Sequence, residues 1–328
     1  MDRPPVWLMR QAGRYLPEYQ ALRKEHSFVE CCTTPALAQE ISLQPWRRFG
    51  MDGVVVFCDI LMPLTAMGIE FSIDDGEGPS LSPAVTTREA AARLRVPTAK
   101  HEYHYVKVAL QELRTTLGEQ AAVIGFAGGP WTVAMYLFAG GRLHDRTAVK
   151  RALLQHRPLL DALIEKITPM LSEYLVEQMR AGAQVVQIFE SWGGVLTAAE
   201  FADIAVPPLR TIIDHVHSAT DRRAPTILYC NGSAHLMTEL ATTGADVLSI
   251  DHETDLHVAR THTDAALQGN LDPALLCNGT PDAIRTATMR MCKSGGTTGY
   301  IANLGHGVIK ETPMENVGAF VETVQAFT

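Results

Sequence analysis

No apolar run in this 328-residue chain reaches membrane-spanning length, which excludes a helical membrane protein. Cysteine is sparse, with six residues and no C-x-x-C spacing, so a zinc ribbon is not expected. The adjacent Cys31-Cys32 pair has poor geometry for mutual bridging, and Cys58 and Cys230 fall inside predicted buried strands. Reduced thiols in a cytosol-like compartment follow from that usage. Positive charge is in the minority, 28 Lys and Arg against 36 Asp and Glu, and a formal charge of −8 argues against a nucleic-acid surface. An anionic small molecule stays possible where arginines gather locally. No G-x-G-x-x-G follows a predicted strand, which removes the main support for a dinucleotide fold. The opening Met1-Asp2-Arg3-Pro4-Pro5 lacks the basic-then-apolar order of a signal peptide. Cytoplasm is the expected compartment, with the plastid stroma as the alternative if a transit peptide has been trimmed.

What the chain does have is a repeated strand signal. Hydrophobic residues make up 46% of it, enough for one large core. The run 52–61 carries β-branched and aromatic residues without a break into Asp59, as expected of a strand buried on both faces. Similar runs occupy 121–128, 183–191, 225–231, 245–251, 265–272 and 299–306, each finishing in Gly, Ser, Asn, Asp or His. Helical patterns long enough to cross back over a sheet separate most of them, which predicts parallel strands. Seven strands can be placed and an eighth cannot. A distorted (β/α)8 barrel forming one domain over residues 1–328 fits best, and an open doubly wound sheet is second. In either fold, ligands bind at the C-terminal ends of the strands, where Asp59 is expected to lie.

Between strands, 36–49 reads as a helix ending in Arg47-Arg48 with Gly50 as its C-cap. The Gly-, Asp- and Pro-rich 68–83 predicts a loop or small hairpin, and 86–118 one or two surface helices. Pro158 and Pro169 predict two or three helices across 147–181. Thr197-Ala198-Ala199-Glu200 is a capping box, and Thr280-Pro281 and Thr312-Pro313 each read as Thr at N-cap with Pro at N1.

Arginine is concentrated at the start, where Pro5-Val6-Trp7-Leu8-Met9-Arg10-Gln11-Ala12-Gly13-Arg14-Tyr15 interleaves two guanidinium groups with apolar and aromatic residues. A segment that hides Trp7, Met9 and Tyr15 while presenting Arg10 and Arg14 suits carboxylate recognition, because the guanidinium fork binds a carboxylate through two parallel hydrogen bonds. This segment, the strand end Phe57-Cys58-Asp59-Ile60-Leu61, the stretch Gly125-Phe126-Ala127-Gly128-Gly129-Pro130-Trp131-Thr132 and Gly305-His306-Gly307 together resemble the uroporphyrinogen decarboxylase family. The resemblance runs from about residue 4 to about residue 325, and its most specific part is M-R-Q-A-G-R-Y.

That resemblance implies a distorted barrel, a homodimer, no metal or organic cofactor, and decarboxylation of the four acetate arms of uroporphyrinogen III. It implies Asp59 as the catalytic carboxylate, with Arg10, Gln11, Ala12, Gly13, Arg14, Tyr136, Ser191 and His306 binding substrate. Two departures stand out: Ala139 where family members usually carry glutamate, and Gly140-Gly141-Arg142-Leu143 in place of a Gly-Gly-Ser-Ser-like run. Glu190 is a possible pocket acid to which the family motif assigns no role.

Three rival readings make other demands on the residues. A corrinoid- or zinc-dependent methyltransferase, which resembles the same barrels, needs closely spaced His and Cys ligands, and no H-x-C occurs. A Schiff-base aldolase needs a strand lysine, and none of the seven runs contains one. A non-catalytic tetrapyrrole carrier could keep the arginines and dispense with Asp59.

Overall fold

In the computed structural model, which describes residues 2–74, 78–97, 102–141, 143, 145–221 and 223–328, nine strands are found. They are β1 (Gly53–Val55), β2 (Glu70–Asp74), β3 (Gly78–Ser82), β4 (Ala122–Gly128), β5 (Val185–Glu190), β6 (Thr226–Cys230), β7 (Val247–Ser249), β8 (Ala266–Leu271) and β9 (Tyr300–Leu304). Seven form one parallel sheet in the order β1-β4-β5-β6-β7-β8-β9, and each coincides with a predicted apolar run. β2 and β3 are the predicted hairpin, paired antiparallel from Glu70↔Ser82. Arg142 of the altered loop, residues 75–77 of the hairpin stretch and 98–101 of the predicted surface helices lie outside the described residues.

The eighth position is filled by the N-terminal segment. Ala302 N–H donates to Pro5 O (2.9 Å) and Trp7 N–H to Ala302 O (3.4 Å), laying residues 5–7 parallel to β9. On the other side Asp52 N–H donates to Val6 O (2.8 Å), while Val6 N–H turns to the Asp52 carboxylate (2.8 Å). The segment thus joins both edges of the curled sheet. It escapes sequence reading because it is three residues long, begins in Pro5 and follows Pro4, and only its partners make it a strand.

Alternation sorts the strands into two faces. Trp7, Met9, Ile124, Ile227, Tyr229 and Val247 pack together inside the ring, with Phe189 against them. A buried polar chain crosses the same interior: Trp7 Nε1 donates to Gln268 Oε1 (3.0 Å), and Gln268 Nε2 to Gln187 Oε1 (2.9 Å) and Ser249 Oγ (2.8 Å). Residues of the opposite phase, such as Val186, Ile188, Leu228 and Leu248, face the helices and join the large outer core. Burying so many apolar side chains is the main favourable term in folding, at about 25 cal/mol per Å².

β1 is shorter than the run that predicts it. Val56 N–H still reaches Ile124 O (3.0 Å), but Phe57 N–H donates to Ser42 Oγ (2.7 Å), and the ladder ends there. Phe57 then packs on Tyr19 and Phe28, so the rest of the apolar run is buried outside the sheet. Cys58 accordingly sits half-buried in a loop, not in a strand.

The helix Pro35–Phe49 ends at Gly50 in the left-handed conformation, as expected. Thr197 and Glu200 form their capping box and Thr280 caps the helix Pro281–Gly295. Residues Arg146–Arg180 run as one long element kinked at His156, two residues before Pro158, while Pro169 does not interrupt it. The last helix, Met314–Gln325, begins one residue later than predicted. Pro313 is its N-cap, and the buried Thr312 hydroxyl caps nothing. No helix among the described residues is long and apolar enough to cross a membrane.

Candidate functional site

The N-terminal segment is riveted to the ring by its own side chains and backbone. Gln11, fully buried, accepts from Leu8 N–H (2.9 Å) and donates to Gly53 O (3.0 Å), while Tyr15 OH donates to Gln11 O (2.8 Å). Met9 N–H donates to Asn303 Oδ1 (3.0 Å) and Val308 N–H to Met9 O (2.9 Å), which docks the segment beside the end of β9. Between these anchors Arg10 holds a left-handed φ of 59°, uncommon for a side chain of its size. The stem of Arg10 passes so close over Gly307 that a Cβ there would lie 2.3 Å from Arg10 Cδ. A side chain on Gly307 would have to push the Arg10 stem aside.

The Arg10 and Arg14 side chains are exposed and make no hydrogen bond or ion pair among the described residues. Trp7, Met9 and Tyr15 are buried, as the sequence leads one to expect. Ala12 and Gly13 are half-buried, and Gly13 O accepts from Leu16 N–H (3.0 Å) to close a turn. The Gln11 amide is wholly engaged in holding the segment, so its side chain acts on the fold.

Asp59 lies four residues past β1, half-buried. Its Oδ1 accepts from Leu61 N–H (2.8 Å), which fixes the turn into the 3-10 helix Met62–Met67. The second oxygen has no partner among the described residues. Burial pushes the carboxyl above its ordinary range, opposed by the Leu61 N–H and by the charge of Arg10. Asp59 thus serves as a turn cap through one oxygen and leaves the other available.

Tyr136 stands on the helix Pro130–Ala139 and Ser191 directly follows β5; both are half-buried with hydroxyls unbonded among the described residues. His306 follows β9, its Nδ1 accepting from Gly307 N–H (2.7 Å), so the neutral ring carries its proton on Nε2. Burial, the Arg10 charge and His252 pull the imidazole down to about 4. It is a neutral donor near pH 7. Arg10 therefore acts on both Asp59 and His306, which places these three in one electrostatic neighbourhood.

Aromatic rings run edge to face beneath them. Phe126 meets Phe189 (5.7 Å between centroids), Phe189 meets Tyr229 (5.8 Å) and Tyr229 meets His306 (6.1 Å), with Tyr229 OH donating to Gly305 O (3.1 Å). An apolar floor below unpaired cations suits a ligand with a flat apolar body and carboxylates at its edge. Two acids at the same end belong to the framework. Asp251 accepts from Ser233 N–H, Ser233 Oγ, Glu253 N–H, Thr254 N–H and Thr254 Oγ1, and is fully used. Glu190 is buried against Thr132. No group of three or more His, Cys, Asp or Glu among the described residues is disposed to hold a metal ion.

Strand direction brings these groups to the C-terminal mouth of a parallel β/α barrel, where enzymes of that architecture keep their chemistry. A family model described as uroporphyrinogen decarboxylase (URO-D) matches residues 1–327, and the chain belongs to that family. Among curated relatives, uroporphyrinogen decarboxylase of Gloeobacter violaceus is 42% identical over 326 residues, covering 99% of this chain and 93% of that one. Chloroplastic uroporphyrinogen decarboxylase 1 of Oryza sativa is 39% identical over 99% of this chain and 81% of its own length. Of solved structures, a methyltransferase from Methanosarcina mazei superposes with a TM-score of 0.77 at 20% identity, covering 100% of this chain and 95% of that chain. That similarity is one of fold.

Proposed function

We propose that the chain removes the four acetate carboxyls of uroporphyrinogen III as CO₂, leaving methyl groups and yielding coproporphyrinogen III. The observation that carries this reading is Asp59, fixed at the barrel mouth by one oxygen, beside the guanidinium of Arg10, with the other oxygen and that guanidinium unpaired among the described residues. Family membership and the printed names of the relatives supply the substrate.

The chemistry needs an electron sink, because direct loss of CO₂ strands a carbanion. Protonation of a pyrrole α-carbon makes the ring a cation that accepts the electrons of the breaking C–C bond; a second proton completes the methyl group, and release of the first proton from the α-carbon restores the neutral pyrrole. The Asp59 carboxylate holds the pyrrole N–H donors and stabilises the developing positive charge, an interaction strongest in the intermediate. Arg10 and Arg14 grip peripheral carboxylates, and Tyr136, Ser191 and neutral His306 add hydrogen bonds. Gln11, Ala12 and Gly13 line the turn that carries the two arginines. A homodimer belongs to the same reading, as does a cytoplasmic location with the plastid stroma as alternative; cyanobacterial and chloroplastic relatives support the latter pair.

The test is an anaerobic assay of metal-stripped protein with uroporphyrinogen III, counting product carboxylates chromatographically after oxidation to porphyrins. Stepwise loss of four is expected. Tight binding without product would make the protein a carrier and direct attention to Ala139 and the loop after it.

A further inference from the structure

Glu190 is the last residue of β5, and its side chain is completely buried. It shares the outward phase of Val186 and Ile188, whereas Gln187 and Phe189 face the ring interior, so the carboxyl points at the helix layer. There it meets the start of the helix Pro130–Ala139, whose N-cap is Gly129 and has no side chain to give. A helix start leaves backbone N–H groups unsatisfied. Glu190 Oε1 supplies the missing acceptor from the neighbouring strand, taking Thr132 N–H (2.7 Å) and the Thr132 hydroxyl. Gly129 N–H is itself bound by Phe189 O (2.8 Å), and a Cβ on Gly129 would lie 2.2 Å from Glu190 Oε2. The glycine that cannot cap is thus the residue that lets Glu190 do so.

The same hydroxyl continues the chain of bonds. Thr132 Oγ1 accepts from Trp192 N–H (3.0 Å), and Trp131 Nε1 donates to Trp192 O (3.1 Å). One carboxyl therefore fixes the helix that carries Tyr136, one turn past Thr132, and the turn that carries Ser191. We propose that Glu190 is a positioning residue that sets the Tyr136 and Ser191 hydroxyls in register with each other, so that both engage the same bound substrate. This rests on the reading of Tyr136 and Ser191 as substrate contacts. Burial pushes the Glu190 carboxyl up to about 7, opposed by its bonds to Thr132 and Trp131, and Oε2 has no partner among the described residues. A neutral amide of the same shape can replace it without stranding a charge.

The experiment is a double-mutant cycle on uroporphyrinogen III turnover, with thermal denaturation run on every variant. Glu190→Ala is expected to raise KM by about 10-fold with a smaller fall in kcat, and Glu190→Gln to return KM to within about 3-fold of wild type. In a Tyr136→Phe/Ser191→Ala background, which has no hydroxyls left to position, Glu190→Ala should change KM by less than about 2-fold. An undiminished factor in that background overturns the proposal, as does a Glu190→Gln variant as impaired as Glu190→Ala. If Tyr136→Phe/Ser191→Ala itself keeps wild-type KM, the substrate-contact reading fails and the proposal falls with it, a result distinguishable by that variant alone. Should Glu190→Ala not fold, Thr132→Val cuts the bridge to Trp192 while keeping the backbone cap, and the same cycle is read with it.

Discussion

At the N-terminal ends of the strands, Arg3 clasps Asp52 through two bonds (2.7 and 2.9 Å), and Asp246 takes His217 Nε2 (2.8 Å) together with Thr226 N–H (2.7 Å). Arg260 there spans Ala265 O (3.1 Å) and Gly299 O (2.6 Å). At the C-terminal mouth, among the described residues, Arg10 and Arg14 carry no bond from their side chains, Asp59 uses one oxygen of two, and His306 has no partner at Nε2. Both ends hold arginine, aspartate and histidine. What separates them is completion: groups below are satisfied by the fold, and those above await a partner. Asp251 and Glu190 refine the contrast, because each is an acid at the mouth whose bonds point back into the framework.

If completion is the right criterion, removing an uncommitted group should cost activity and spare the fold. Asp59→Asn is the strongest case: a fall in turnover of about 10³ is expected with unfolding temperature unchanged, since the amide oxygen can still accept from Leu61 N–H. Near-normal product formation in that variant would dissolve the comparison. Arg10→Lys keeps the charge and loses the fork, and kcat/KM for uroporphyrinogen III should drop about 10- to 100-fold, with circular dichroism as the check on folding. Gly307→Ala tests the same guanidinium without touching it. Its Cβ would lie 2.3 Å from Arg10 Cδ and drive that flexible stem aside, so a rise in KM of about 10-fold is expected with little change in stability.

The lower end should behave in the opposite way. His217→Ala removes a buried ring from Asp246 and should lower unfolding free energy by about 2 kcal/mol, leaving kcat/KM per folded molecule as it was. Although burial raises the Asp246 carboxyl, Thr226 N–H and His217 bring it below its ordinary range. Its contribution is therefore present above the ordinary carboxylate pKa and lost as pH falls through the lowered one. Lost activity at neutral pH in a folded His217→Ala protein would show that the two ends are not independent.

How much of this was legible depends on where the determining contacts lie in the chain. The seven strands were readable because burial on both faces requires unbroken apolar runs; Asp59, Ser191 and His306 were marked by position as run ends, but so were Asn231, Asp251 and Asp272, and only the family resemblance singled the first three out as site candidates. Arg10 and Arg14 were readable as cations set among buried aromatics. The strand role of residues 5–7 was not, since it depends on Ala302 and Asp52 far along the chain. Thr312 misled for a related reason: Thr-Pro is a sound local helix start, yet the chain turns into the helix at Met314 instead. Glu190 left one trace, a Gly129-Pro130 helix start without Ser, Thr, Asp or Asn to cap it. A missing local cap signals that the acceptor comes from elsewhere, but the sequence does not say from where.

Glu190 also supplies the smallest effect, one that sharpens the contrast by showing which acid at the mouth belongs to the framework. Its folded pKa, about 7, lies above the ordinary 4.5, so between these values the folded chain holds a proton that the unfolded chain releases. Stability from this group is fully present below pH 4.5 and declines as pH rises through 7. From pH 6 to pH 8 the loss should come to about 1 kcal/mol. His306 works against it, because an imidazole pulled down to about 4 contributes stability that is present above pH 6.5 and lost on acidification. A pH series on wild type alone would mix the two. Glu190→Gln keeps the acceptor for Thr132 and does not titrate, so subtracting its denaturant-unfolding series from that of wild type cancels His306. The difference should run against Glu190→Gln at pH 6 and narrow by pH 8. A difference independent of pH would mean that Glu190 is ionised in the fold and its capping role is that of a charge.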